Sequence, residues 1–76
     1  MNIDDRVKEI MADILEISPA QISLTTTKEM TKTWDSLAQI NVASALEEEF
    51  GVSFTVGDIE AMTSFANIVS IVSLKI

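Results

Sequence analysis

Ser36 is the residue whose type and position could support covalent chemistry. It stands in the stretch Thr33-Trp34-Asp35-Ser36-Leu37, where a polar, threonine-rich segment gives way to an apolar helical pattern. A serine that acts as its own nucleophile needs a general base, most often a histidine, and the chain contains no histidine. No S-x-x-K spacing links Lys28 or Lys32 to Ser36. We therefore predict no catalytic residue in this chain.

Two other roles for Ser36 remain open. The residues Ser36-Leu37-Ala38-Gln39 fit the S-x-x-Q capping box, in which the serine does no more than cap a helix. Alternatively, Ser36 is the attachment point for a group that another enzyme installs. A helix N-terminus favours a phosphate-containing group, because its unpaired N–H groups and the helix dipole attract an anion. Asp35 could then take over the cap.

The composition excludes several classes of function. The absence of cysteine and histidine rules out disulfides and thiolate or imidazole metal sites, so we predict no metal. Twelve acidic against five basic residues give a formal net charge of −7, which repels nucleic acid and anionic membranes and favours basic protein surfaces as partners. With 47% hydrophobic and 22% charged residues, we expect a single folded domain over residues 1–76 without a membrane span. No secretion signal is visible at the N-terminus, which predicts a cytoplasmic protein.

The hydrophobic periodicity predicts an all-α fold, a small four-helix bundle of three longer helices and one short helix with a long loop between helices I and II. Helix I should be capped by Asn2 and end around Ile17, before Pro19. Its apolar stripe comprises Ile3, Val7, Ile10 and Ile14, widened by Met11 and Leu15. A short turn capped by Ser18 follows. In the loop over residues 22–34, the side chains expected to reach the core are Ile22, Leu24 and Met30.

Helix II is predicted from about Ser36 to Phe50, with Gly51 in the left-handed conformation after its end. Its core side should consist of Gln39, Val42, Ala43, Leu46 and Phe50. A second side should be at least partly exposed and consists of Leu37, Asn41, Ser44 and Glu48.

The two remaining helices follow from caps and spacing. Thr55 and Asp58 form a capping box that starts a short third helix, with Ile59 and Met62 buried. Thr63 or Ser64 caps the last helix. The apolar positions of that helix are Phe65, Ile68, Val69, Val72 and Ile76.

Two short runs resemble a known family. Asp35-Ser36-Leu37 is followed by Ala45-Leu46-Glu47-Glu48-Glu49-Phe50-Gly51, and the pair at this offset is similar to the acyl carrier proteins. The resemblance implies that Ser36 carries 4′-phosphopantetheine, which a phosphopantetheinyl transferase moves from coenzyme A. The cofactor's own thiol then holds acyl groups as thioesters, so the carrier needs no cysteine and catalyses nothing itself.

The resemblance also implies a set of contacts for a monomeric carrier. Asp35 and Leu37 would contact the transferase. Asn41, Glu47 and Glu48 would help dock acyl-transferring and acyl-processing enzymes that have basic surfaces. The candidates to line an acyl pocket beside the second and third helices are Ala43, Leu46, Phe50, Ile59 and Met62.

Some residues depart from the family pattern. Fatty-acid carriers often have acidic residues at the places of Ala38 and Asn41 and methionine at that of Ser44, so we expect a dedicated pathway for a polyketide, a modified lipid or a specialised fatty acid. Trp34 replaces a small residue, and we expect it to pack on helix II rather than to restrict the prosthetic arm. Two alternatives stay open: a peptidyl or aminoacyl carrier, and an acidic interaction module in which Ser36 is only a helix cap.

Overall fold

The computed structural model describes residues 2–76 and shows an all-α chain. Helix α1 spans Ile3–Leu15, a 3₁₀ turn spans Pro19–Gln21, α2 spans Ser36–Phe50, α3 spans Val56–Ala61 and α4 spans Phe65–Lys75. Three longer helices and one short one, with a long loop before α2, confirm the predicted fold class. No helix within residues 2–76 has the length and apolar character needed to cross a membrane.

Helix α1 ends two residues earlier than predicted. Asn2 caps it by accepting the Asp4 N–H at 2.8 Å, and Glu16 takes the left-handed conformation with φ 58°. The Ile17 N–H then bonds back to the Ala12 carbonyl at 3.1 Å. The helix therefore ends at a left-handed residue that is a glutamate, not the glycine or asparagine usual at such a position, so the sequence did not predict this end. Pro19 only starts the following turn. The buried face comprises Val7, Met11, Ala12 and Leu15, so that Ile3, Ile10 and Ile14 lie at its edge.

The loop between the 3₁₀ turn and α2 is held by backbone hydrogen bonds to the start of α4. The Lys28 N–H donates to the Thr63 carbonyl at 2.8 Å, and the Phe65 N–H donates to the Thr26 carbonyl at 3.1 Å. Ile22 is buried as predicted. The expectation that the other two apolar side chains of this loop reach the core is wrong, because the backbone contacts hold the loop in place while Leu24 and Met30 point outwards.

Helix α2 begins and ends as predicted, but Asp35 is its cap. The Asp35 carboxylate accepts the Ala38 N–H at 2.9 Å, and Gly51 adopts φ 65° after the helix end. The predicted core side is correct, with Phe50 half-buried at its end. Ser36 is therefore the first helical residue and not the residue that caps the helix.

The last two helices are capped by Thr55 and Ser64. Thr55 and Asp58 form the predicted reciprocal capping box, both bonds being 3.0 Å long. The buried residues here are Met62, Phe65, Ile68 and Val72, with Ile59 and Val69 half-buried. The prediction that Ile76 belongs to the last helix is wrong, because α4 ends at Lys75, and the side chain of Ile76 is exposed.

Replacing the cap of α2 should destabilise the protein, whereas replacing Ser36 should not. Asp35→Ala removes the acceptor for the Ala38 N–H and should lower the free energy of unfolding by about 0.5–2 kcal/mol. Ser36→Ala should stay within about 0.5 kcal/mol of the wild type. Urea unfolding of the unmodified protein measures both, and a larger loss for Ser36→Ala would contradict the assignment of the cap.

The pairing of Asp58 should make stability depend on pH. The Thr55 backbone N–H, and then the Lys75 ammonium at 2.9 Å, lower the pKa of the Asp58 carboxyl. A carboxyl whose pKa is lower in the folded state stabilises the fold above its unfolded pKa, about 3.9, and loses this effect as the pH falls through the folded value. The difference in unfolding free energy between wild type and Asp58→Asn should thus shrink below about pH 4. A difference that stays constant down to about pH 2.5 would contradict the prediction.

Candidate functional site

Ser36 lies exposed at the N-terminal end of α2, between two other exposed residues, Asp35 and Leu37. The side chain of Leu37 is 69% exposed, as predicted for a residue off the core side of the helix. The predicted S-x-x-Q capping box does not form, since Asp35 provides the cap and Gln39 turns inwards. The hydroxyl of Ser36 is thus accessible and is not required to cap the helix.

Beneath this exposed end lies a buried polar cluster that the sequence did not reveal. Trp34 is only 2% exposed, and its indole N–H donates to the side-chain oxygen of Gln39. The side-chain amide nitrogen of Gln39 donates to the carbonyls of Ile59 at 2.6 Å and Met62 at 2.9 Å. Each buried group left without its partner would cost about 1–3 kcal/mol. The prediction that Trp34 packs on the second helix is confirmed.

Large apolar side chains are exposed on α2 next to Ser36 and at the start of α3. Ile40 is 57% exposed, lies three residues after Leu37 and therefore shares its side of α2. Val56, at the start of α3, is 74% exposed. Asn41 and Glu48 are exposed further along α2. The spacing of Ile40 from Leu37 was the signal that sequence reasoning overlooked.

The three consecutive glutamates of α2 have three different environments. Glu47 is half-buried, and its carboxylate accepts the Phe54 N–H at 2.8 Å. Glu49 accepts a hydrogen bond from the Arg6 guanidinium at 2.8 Å, which lowers the pKa of Glu49 and raises that of Arg6. Glu48 is exposed and takes part in neither contact. Of the two glutamates predicted to dock partners, Glu47 therefore also holds the loop between α2 and α3.

The five candidates for an acyl pocket lie together in or against the core. Ala43, Leu46 and Met62 are at most 2% exposed, and the half-buried Phe50 and Ile59 pack against the core. In the structure these residues fill the space between helices. That an acyl chain enters among them stays a prediction.

The arrangement suits a group attached by another enzyme. The hydroxyl of Ser36 is accessible, and the amides of the first helical turn face out of the helix end, where the positive end of the dipole favours an anion. A phosphodiester at this position would be in a favourable field. The residues present therefore fit a phosphate-linked prosthetic group.

The family model described as "Phosphopantetheine attachment site" matches residues 5–72 of the chain. A curated relative, the acyl carrier protein of Petrotoga mobilis, is 29% identical over 72 residues, which are 95% of this chain and 85% of that protein. The solution structure of the holo acyl carrier protein from Geobacter metallireducens superposes with a TM-score of 0.85 at 20% identity. That match covers 99% of this chain and 86% of the other and shows that the two share a fold. The chain therefore belongs to the family of phosphopantetheine-binding carrier proteins, and its cofactor is a covalently bound 4′-phosphopantetheine.

Proposed function

We propose that Ser36 is the residue that carries the phosphopantetheine and that the protein holds acyl groups as thioesters on the cofactor's thiol. The observation that supports this most is the exposure of Ser36 at the first position of α2 while Asp35 caps the helix. A serine that were only a cap would occupy the position that Asp35 holds. The rival interpretation of Ser36 as a helix cap thus loses its structural basis.

Attachment requires a base that this chain does not supply. The Ser36 oxygen would form the new bond to the phosphorus that bears the pantetheine, while the bond from that phosphorus to the remaining nucleotide phosphate of coenzyme A breaks. The hydroxyl proton must go to a base, and the chain has no histidine to accept it. The transferase provides that base, and this protein contributes the accessible oxygen and the field of the helix end.

The surface next to Ser36 fits enzymes that present an apolar contact within a basic rim. Leu37 and Ile40 supply exposed apolar area, and Asp35, Asn41 and Glu48 supply polar and acidic groups around it. The formal net charge of −7 adds long-range attraction towards basic partners. We expect this surface to serve both the transferase and the acyl-processing enzymes.

The cargo belongs, in our proposal, to a dedicated pathway rather than to bulk fatty-acid synthesis. Asn41 and Ser44 lie exposed on α2 where fatty-acid carriers often present an acidic residue and a methionine. This makes the docking surface less acidic and less apolar at these two positions. The proposal includes a monomeric carrier over residues 1–76 that works in a cytoplasmic biosynthetic system for a polyketide, a modified lipid or a specialised fatty acid.

Modification of Ser36 is directly measurable. Incubation with coenzyme A, Mg²⁺ and a broad-specificity phosphopantetheinyl transferase should add the mass of one phosphopantetheine to the wild type, and intact-protein mass spectrometry detects it. Ser36→Ala should remain unmodified because it lacks the attacking oxygen.

Ser44→Ala is the matched control, since it removes another exposed serine of the same helix. It should be modified as the wild type is. Modification of Ser36→Ala, or no modification of the wild type under conditions in which a known carrier is loaded, would overturn the proposal.

Glu48 should contribute to the encounter with the transferase. Glu48→Gln should lower the second-order rate constant for modification at low salt by roughly two- to fivefold, because one exposed charge near the contact is removed. Asp5→Asn removes one exposed charge at the start of α1 and should change the rate less. The modification rates should be measured at low salt and at about 1 M salt. If Glu48 acts through its charge, the difference in rate between Glu48→Gln and the wild type should disappear at high salt. Equal rates for both variants at low salt would exclude Glu48 from the docking surface.

A further inference from the structure

The side chain of Gln39 lies between the attachment residue and the apolar interior. Residues three and four apart are neighbours on a helix, so Ser36, Gln39, Ala43 and Leu46 follow one another along one line of α2. Ser36 is exposed, Gln39 is 7% exposed, and Ala43 and Leu46 are fully inside. A chain tethered at Ser36 that turned inwards along this helix would meet Gln39 first.

Gln39 is also fixed on three sides. Its oxygen accepts the indole N–H of Trp34, and its amide nitrogen donates to the carbonyls of Ile59 and Met62. These bonds join the segment before Ser36, the inner face of α2 and the end of α3. An alkyl chain could pass only if the Gln39 amide left these partners, and a hydrocarbon offers them no hydrogen bond in return.

We infer that Gln39 closes the interior of this carrier to an alkyl chain held at Ser36, so that its cargo is a short or polar acyl group that stays outside the helices. The inference rests on the proposed function and deepens it, since it names the class of cargo. A polar cargo keeps its hydration outside, and a short one gains little from burial. A chain that stays outside the helices could contact an apolar surface there. The exposed side chains of Leu37, Ile40 and Val56 form this surface.

The space behind Gln39 supports the same conclusion. Leu46 and Met62 are fully buried and belong to one continuous core cluster. A chain that passed Gln39 would have to displace these packed side chains as well as break the three hydrogen bonds.

The test compares acetyl and octanoyl thioesters on the full-length protein. The transferase loads each from its coenzyme A thioester, mass spectrometry confirms the loading, and hydroxylamine then cleaves the thioester at a measured rate. In the wild type the two thioesters should be cleaved at similar rates, because both remain in solvent. The melting temperatures of the two loaded forms should also agree.

Gln39→Met tests whether the amide is the barrier, since methionine has a similar length and no polar group to hold the carbonyls. In this variant the octanoyl thioester should be cleaved about tenfold more slowly than the acetyl thioester, because burial of several methylene groups protects it. Its octanoyl form should also melt at a higher temperature than its acetyl form. Ser70→Met places the same group on the exposed side of α4, away from Ser36 in the sequence, and should behave as the wild type does.

Trp34→Phe is a second variant if Gln39→Met does not fold, because it keeps an aromatic ring while it removes the N–H donor and part of the ring volume. Its octanoyl thioester should be cleaved by hydroxylamine at a rate between those expected for the wild type and for Gln39→Met. Protection of the octanoyl thioester in the wild type overturns the inference, and so does its absence in every folded variant of Gln39 or Trp34. Failure of the wild type to accept any phosphopantetheine overturns the proposed function instead.

Discussion

The amide of Gln39 is the contact on which the site depends. It lies inside the protein, and its three hydrogen bonds reach the loop before α2 and the end of α3. A buried amide with its partners in place stabilises one arrangement of the chain, whereas the same amide with a partner missing would favour others. α3 is only six residues long and has no fully buried residue of its own, so these bonds to the carbonyls at its C-terminal end fix where it lies. The same bonds hold Trp34 and thereby the residues that lead to Ser36.

In the proposed carrier, the start of α2 divides capping and attachment between two adjacent residues. The Asp35 carboxylate accepts a hydrogen bond from the Ala38 N–H, which the helix would otherwise leave unpaired. Ser36 next to it remains accessible. If one residue had to do both, modification of its oxygen would remove the cap, and the helix would lose stability whenever the carrier was loaded. Because the carboxylate caps the helix, the loaded and unloaded forms can share one structure. In the proposed loaded form the anionic Asp35 would lie next to the phosphodiester, where the positive helix end would offset the repulsion.

The sequence predicted the features that depend on neighbouring residues. The left-handed Gly51 and the Thr55–Asp58 capping box follow from residue type and a spacing of a few positions, and both are present. The sequence alone left open which residue caps α2, because Asp35 and Ser36 are both good cap residues and local chemistry does not choose between them. Gln39 was predicted on the core side, but two of its three partners lie 20 and 23 residues away, at the end of α3 and directly after it, so its role depended on the tertiary fold.

The loop shows the same limit. Leu24 and Met30 are apolar and were expected inside, yet backbone bonds to α4 fix the loop without them. A chain of 76 residues can bury only a small number of apolar side chains, and side chains of the helices fill most of its core. Apolar side chains that the core cannot accommodate remain on the surface, and three of them, Leu37, Ile40 and Val56, lie on the two helices that Gln39 joins. The small size of the core thus accounts for both the filled interior and the apolar surface beside Ser36, where a carrier must meet its partners.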